Sequence, residues 1–286
     1  MNVNLISIND SAYPVKLREI PDAPAKLYVV GNLDNLQNNP CLSVVGSRKV
    51  TPYGKSVTDN LVNTVAAHGI TIISGLALGV DTIAHRAALD SGSTTVAVLP
   101  CGLDKIYPAS NLQLARRILE NNGALISEYQ PHTPPLQHHF IARNRIVAGL
   151  GDAVLITEAA AKSGTMHTVG FALDQGKSIL AVPGNITNTF SEGTNNLIKA
   201  GATPITVPED ILDCLGINDK TTVINDVLPA TEQEAIILDL IKLGVTDINE
   251  LQDESKLSVS EFNQTLTMLE ITGKVRSTGA GHWNIR

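Results

Sequence analysis

From residue 42 onward, short apolar runs alternate with stretches whose apolar positions recur every three to four residues. The runs at 42–46, 71–75, 94–99, 124–127, 153–157 and 178–182 predict strands, most of them ending in small or polar residues. The intervening stretches predict helices at 52–68, 81–91, 110–121, 140–149 and 164–175, with short ones near 194–200 and 208–215. Pro52 suits the first turn of its helix. Strand, helix and strand at this spacing make βαβ units. The fold class is therefore α/β, a doubly wound, mostly parallel sheet covered on both faces, as near-continuous apolar strands require. Such sheets take ligands at the carboxyl ends of their strands.

The flanking segments read differently. Residues 1–35 look like a lead-in to the domain at 36–216. Residues 217–230 are polar, carry little pattern and read as a linker. Residues 231–286 show helical spacing at 231–241, 246–252 and 258–272, then a hairpin turning through Gly279-Ala280-Gly281. Three helices and a terminal hairpin predict a small winged-helix-like module. There is no internal repeat and no low-complexity tract.

Charge changes the picture once it is located. The 286 residues carry 21 Lys and Arg against 28 Asp and Glu, a formal net charge of -7. Eleven of the acids and six of the bases fall in 217–286, whereas 36–150 has nine bases and six acids. The total argues against a broadly basic nucleic-acid coat but leaves room for a local groove. The acidity of the last module argues against direct DNA contact there and suits a protein partner. Hydrophobic content of 43% and charged content of 17% fit a globular chain. No apolar run reaches the roughly 20 residues of a membrane helix. The first residues lack a basic region followed by a long apolar one, so the expected location is cytoplasmic. Cys41, Cys101 and Cys214 are too far apart in sequence for a metal motif and odd in number, which suits buried thiols.

Small and charged residues collect at the predicted strand ends. Gly46-Ser47-Arg48 offers close backbone approach, a hydroxyl and a guanidinium fork before a helix start, where free N–H groups favour anions. The alternative is a plain βα turn with a solvated Arg48. Ser74-Gly75 ends the next strand. Phe140-Ile141-Ala142-Arg143-Asn144-Arg145 is the densest basic stretch, in a chain with 3% aromatic residues. A base can stack on Phe140 while arginines hold the backbone; alternatively Phe140 belongs to the core and the arginines to internal ion pairs. Ser163-Gly164-Thr165 opens a helix, as a simple N-cap or as one wall of an anion site. Pro183-Gly184-Asn185 and Gly193-Thr194-Asn195-Asn196 fall on the same rim.

Catalytic and nucleotide-loop readings are weaker. Gly54-Lys55-Ser56 and Gly176-Lys177-Ser178 lack the spacing or position of a phosphate loop, and no Gly-x-Gly-x-x-Gly follows the first predicted strand. His138 and His139 have no carboxylate or Cys at ligand spacing, so no metal and no cofactor is expected. Asp81 and His85 make either an acid–base pair or a structural hydrogen bond. Glu128 and Glu158, at strand ends, are the best candidates for a general base, or else orient Arg143 and Arg145.

These blocks, in order, resemble the DNA-processing protein A family (DprA, also called Smf). The resemblance rests on Val45-Gly46-Ser47-Arg48 with Tyr53-Gly54, and on Ser74-Gly75-Leu76-Ala77-Leu78-Gly79-Val80-Asp81 with His85. It continues through Gly102-Leu103-Asp104-Lys105-Ile106-Tyr107-Pro108, Ser127-Glu128 and Phe140 to Ile146. Glu158-Ala159, Ser163-Gly164-Thr165 with Thr168, Ala181-Val182-Pro183-Gly184 and Gly193 to Ala202 complete it, over roughly 42–205. The family usually has Ser-Gly-Ser-Leu-x-Thr where this chain has Ser163-Gly164-Thr165-Met166-His167-Thr168; Thr165 keeps the hydroxyl.

The resemblance implies an extended Rossmann-like domain that binds single-stranded DNA without catalysis. It implies a protein of natural transformation that shields incoming strands, helps load RecA and works as a homodimer through that domain. The N-terminal helical domain of many members is then missing or vestigial. The implied DNA-binding set is Gly46, Ser47, Arg48, Ser74, Gly75, Lys105, Phe140, Arg143, Asn144, Arg145, Ser163, Gly164 and Thr165. The rival reading is an enzyme releasing bases from nucleoside monophosphates on a related fold. It is disfavoured because no acid follows Ser163-Gly164-Thr165-Met166 at the spacing such enzymes use.

Overall fold

A computed structural model describes residues 3–217, 229, 231–279 and 281–285. The expected linker at 217–230 thus lies outside the described residues, apart from Ile217 and Pro229. The chain divides into two compact units, Met1–Asn218 and Asp219–Arg286.

The first unit is a nine-stranded sheet. Its strands are β1 (Asn4–Ser7), β2 (Lys26–Gly31), β3 (Cys41–Val45), β4 (Thr71–Ser74), β5 (Thr95–Leu99), β6 (Ala124–Ser127), β7 (Ala153–Ile156), β8 (Ser178–Ala181) and β9 (Thr203–Pro204). They lie in the order β1-β2-β6-β5-β4-β3-β7-β8-β9. From β6 to β9 all neighbours are parallel. The helices are α1 (Val15–Arg18), α2 (Asp34–Asn38), α3 (Pro52–Ala67), α4 (Val80–Asp90), α5 (Leu112–Glu120), α6 (Gln137–Leu150), α7 (Thr165–Asp174), α8 (Glu192–Lys199) and α9 (Pro208–Cys214).

Side-chain alternation explains why both faces are dry. In β3, Leu42 and Val44 pack with Leu61, Val62 and Val65 of α3. Cys41 and Val45 point the other way, toward Ile146, Val147 and Leu150 of α6. In β5, Val96 and Val98 join the α6 face, while Ala97 and Leu99 meet Leu114 and Ile118 of α5. Burying each such Leu, Ile or Val contributes about 1.5–3 kcal/mol. Ser43 sits fully buried between them because its hydroxyl donates to the Val147 carbonyl at 2.6 Å.

Residues 1–35 are more than a lead-in, and the first strand is not at 42. β2 pairs antiparallel with β6, with Tyr28 opposite Ser127, and β1 pairs antiparallel with β2. Leu27 and Val29 fill one face and Val30 the other, so β2 is a covered strand of the sheet rather than a solvated extension. Tyr13 is fully buried and donates its hydroxyl hydrogen to the Pro24 carbonyl at 2.7 Å. Leu17 and Ile20 pack where Gly149 of α6 has no Cβ.

The second unit packs α10 (Glu232–Lys242), α11 (Ile248–Ser255) and α12 (Val259–Ile271) with a hairpin of β10 (Val275–Gly279) and β11 (His282–Ile285). Ile237, Leu238, Ile241, Leu251, Phe262, Leu266 and Leu269 form its core. Ser258 and Glu261 cap α12 reciprocally, and that helix carries no Lys or Arg. No helix among the described residues is long and apolar enough to cross a membrane.

Candidate nucleic-acid interface

The strand order reverses between β3 and β7, and a cleft of about 660 Å³ opens at their carboxyl ends. This is where a doubly wound sheet leaves room between diverging loops. Its lining comes from the turn after β3, the loop before α4 and the start of that helix, the loop after β5, α6, the start of α7 and the loop before α8.

The turn after β3 is set by backbone crowding. Ser47 N–H donates to the Glu158 carbonyl at 2.7 Å, and Val80 N–H donates to the Ser47 carbonyl at 3.1 Å. A Cβ on Gly46 would lie 2.6 Å from Val80 Cγ2 and 2.8 Å from that Glu158 carbonyl. Internal packing therefore requires a glycine at 46, which also lines the cleft. Ser47 is buried, and its hydroxyl closes its own turn, donating to the Lys49 carbonyl at 2.6 Å and accepting from Lys49 N–H at 3.1 Å. Arg48 and Lys49 are left exposed at the cleft. The Arg48 guanidinium lies over the Phe140 ring, 5.1 Å from its centroid. Tyr107 meets the same ring edge-on at 5.5 Å.

The helix start after Gly46 is not an open anion site. Glu158, 1% exposed, puts its carboxylate there: Thr51 N–H donates to it at 2.9 Å and the Thr51 hydroxyl at 2.5 Å, while Thr51 Oγ1 accepts from Gly54 N–H at 3.1 Å. Glu158 supplies from within the negative charge that a helix N-terminus favours. The loop after Ser74 is likewise satisfied internally. Ser74 is fully buried and donates to the Val44 carbonyl at 2.6 Å. Gly75 and Ala77 N–H donate to the Asp81 carboxylate at 3.1 and 3.3 Å. Asp81 and His85 are not an acid–base pair; His85 Nδ1 bonds Thr95 Oγ1 at 2.7 Å.

Arg143 forms the cleft floor. It is 4% exposed and donates to the Gly75 carbonyl at 2.7 Å and to the Val98 carbonyl. Burial pushes its pKa down to about 10, partly offset by Asp81, so it stays cationic at neutral pH. Burial raises the Asp81 pKa against the pull of Arg143. Asn144, half-buried in the lining, accepts from Arg143 Nε at 3.2 Å.

Arg145 faces away from the cleft. Its guanidinium makes a fork to Glu128 at 2.9 and 2.7 Å and bonds Asp22 at 2.9 Å. Burial lowers its pKa, but the bonds and charge of Glu128 and Asp22 outweigh that and hold it above the ordinary value. Two residues apart on a helix, Arg143 and Arg145 cannot share a face. Glu128 and Glu158 are both engaged structurally. Lys105 is exposed but outside the cleft lining.

The opposite wall is the start of α7. Ser163, Gly164 and Thr165 line the cleft, and Ser163 Oγ accepts from Thr165 N–H at 3.2 Å. A Cβ on Gly164 would meet nothing within 4 Å. Sequence reasoning missed Lys49, Tyr107, His167 and Phe190, all in the lining. Tyr107 stood within a quoted block; Phe190 carried no local signal. His139, outside the lining, stacks on Tyr129 with centroids 4.0 Å apart. Among the described residues no group of three His, Cys, Asp or Glu comes together as a metal site.

Fold and cleft together define an α/β protein of the doubly wound type, with an open, arginine- and aromatic-lined cleft at its switch point. The chain belongs to the DNA recombination-mediator protein A family, whose model matches residues 4–216, with the DprA winged helix domain matching 226–281. It is 37% identical over 293 residues to protein Smf of Escherichia coli, covering 100% of this chain and 78% of that one. It is 42% identical over 206 residues to DNA processing protein DprA of Streptococcus pneumoniae, 72% of each chain. The crystal structure of the pneumococcal protein superposes with a TM-score of 0.70 at 40% identity, over 74% of both chains. The Helicobacter pylori protein, described for its single-stranded DNA binding mode, gives 0.67 at 35% identity over 74% of this chain and 95% of that one. The family places the chain in DNA processing and recombination.

Proposed function

We propose that the cleft binds single-stranded DNA without catalysing a reaction on it. The observation that carries this is the Arg48–Phe140–Tyr107 cluster, which puts a cation, two aromatic rings and the exposed Lys49 at the edge of one open cleft. Aromatic faces accept any base and exposed cations follow the phosphates, a combination suited to sequence-tolerant single-strand binding. The groove set is Arg48, Phe140, Asn144 and Ser163-Gly164-Thr165, over a floor of Gly46, Ser47 and Arg143; Gly75 lies outside that lining, its carbonyl held by Arg143. Ser74 supports that floor from the sheet, Lys105 lies beyond the lining, and Arg145 belongs to the scaffold. The description of the Helicobacter pylori relative, for its single-stranded DNA binding mode, supports the same reading.

In this reading the protein acts in the cytoplasm during natural transformation. It covers incoming strands, pairs with a second copy through its Rossmann-like unit and hands the strand to RecA. The residues fall into a lead-in at 1–35, a DNA-binding domain at 36–216, a linker and a winged-helix-like module from 231, the lead-in contributing strands to the same sheet. A base-releasing enzyme is the weaker reading, because Asp81, Glu128 and Glu158 are each held by structural partners. Titrating labelled oligo-dT with the whole protein across a salt series tests the proposal. Saturable, salt-weakened binding with no base release from nucleoside monophosphates is expected; base release without strand binding would reverse the choice.

A further inference from the structure

Phe190 lines the same cleft as Phe140 and Tyr107 but comes from a different element, the loop before α8. It is half-buried and belongs to the lining. The loop that carries it is held at many points. Tyr53 donates its hydroxyl hydrogen to the Pro183 carbonyl at 2.7 Å. The Asn195 side-chain amide bonds both N–H and carbonyl of Gly184, at 3.1 and 3.0 Å. Asn188 Oδ1 accepts from Phe190 N–H at 3.0 Å, and Ser191, buried at the start of α8, donates its N–H to the Asn188 carbonyl at 3.0 Å. The backbone of Phe190 is thus fixed before any ligand arrives, which lowers the ordering cost of using its ring.

Phe140 already has Arg48 over one face and Tyr107 at its edge, which restricts how many bases it can take. A cleft of about 660 Å³ is well beyond the roughly 300 Å³ lower limit of small-ligand sites. We infer that Phe190 is a second stacking platform, so that the cleft holds at least two bases of one strand, one against the Phe140–Tyr107 wall and another against Phe190. This inference rests on the single-strand reading of the cleft. It adds a binding residue, Phe190, and a minimum of two stacked bases per site.

The test walks a single abasic site along labelled oligo-dT and measures affinity for the whole wild-type protein, Phe140→Ala and Phe190→Ala. Phe190→Ala is expected to weaken binding by about 5- to 150-fold on intact oligo-dT. That loss should vanish when one particular base is missing, at a position different from the one that erases the Phe140→Ala loss. A second variant, Phe190→Trp, guards against misfolding: its added tryptophan fluorescence should be quenched on strand binding, beyond any change at the natural Trp283. Wild-type affinity in Phe190→Ala, a shared abasic position for both variants, or an unquenched Phe190→Trp that still binds oligo-dT overturns the inference while leaving the single-strand reading standing. Failure of the wild-type protein to bind oligo-dT overturns both.

Discussion

The Arg48 guanidinium rests over the face of Phe140, 5.1 Å from the ring centre, although the two residues are 92 positions apart in the chain. The ring aims the cation, and the cation shields one face of the ring. Their contributions to strand binding should therefore be coupled. Arg48→Ala and Phe140→Ala are each expected to weaken oligo-dT binding, and the double variant should fall short of the sum by about 0.5–2 kcal/mol. Equilibrium titrations of the four proteins measure this; strict additivity would mean the stack has no role in binding.

Arg145 gives the contrasting expectation. Its guanidinium is saturated by Glu128 and Asp22 on the side away from the cleft. Arg145→Ala leaves Glu128 without its partner. Breaking a fully buried pair costs about 3–5 kcal/mol, and the partial exposure of Glu128 and Asp22 reduces this to about 2–3. Urea denaturation should show that loss, while the affinity of the remaining folded protein for oligo-dT stays within about twofold.

His85 sets a pH dependence of stability. Thr95 donates its one hydroxyl hydrogen to the Ile72 carbonyl at 2.7 Å, so His85 Nδ1 must donate to Thr95, and Nε2 is left buried without a partner among the described residues. Burial, with help from Arg143, pushes the His85 pKa from 6.5 to about 3. The folded state therefore binds this proton less readily than the unfolded chain. The stabilisation is complete above about pH 6.5 and is lost as pH falls toward about 3, at up to roughly 1.4 kcal/mol per unit. Urea midpoints between pH 7.5 and 4.5 should fall more steeply for the wild type than for His85→Gln; parallel profiles would contradict the assignment.

Gly75 and Gly164 should respond differently to alanine. A Cβ on Gly75 would lie 2.6 Å from the Arg143 guanidinium, which is tied to the Gly75 and Val98 carbonyls and cannot easily retreat. Gly75→Ala is expected to cost about 1–3 kcal/mol. Gly164 has open space around its missing Cβ and φ of -58°, so Gly164→Ala should change stability by less than about 0.5 kcal/mol. Thermal or urea melts of both variants check the pair.

The sheet was legible in the sequence wherever burial on both faces left an uninterrupted apolar run, as in Leu42 to Val45 and Thr95 to Leu99. β2 was missed because Lys26 and Gly31 bracket only four apolar residues, and its partner β6 lies about a hundred positions away. Arg48 and Phe140 were legible as chemistry, but their contact was not, since it depends on how the β3 turn meets α6. Arg145 was misread because helical periodicity, which separates it from Arg143, was not applied within the basic stretch. Glu158 looked like a candidate base because strand ends often carry one; its cap on Thr51 required the packing of β7 beside β3. Phe190 reaches the cleft only through the loop before α8, which no periodic pattern describes.

The central claim is that this cleft is a single-strand binding site. Titration of labelled oligo-dT with the wild-type protein and with Arg48→Ala/Phe140→Ala, at several salt concentrations, tests it most directly. The account predicts saturable wild-type binding that weakens with salt, and a double variant with markedly lower affinity and a shallower salt slope, by roughly 0.7 for the lost phosphate contact. Equal binding and equal salt slopes for the two proteins would contradict it.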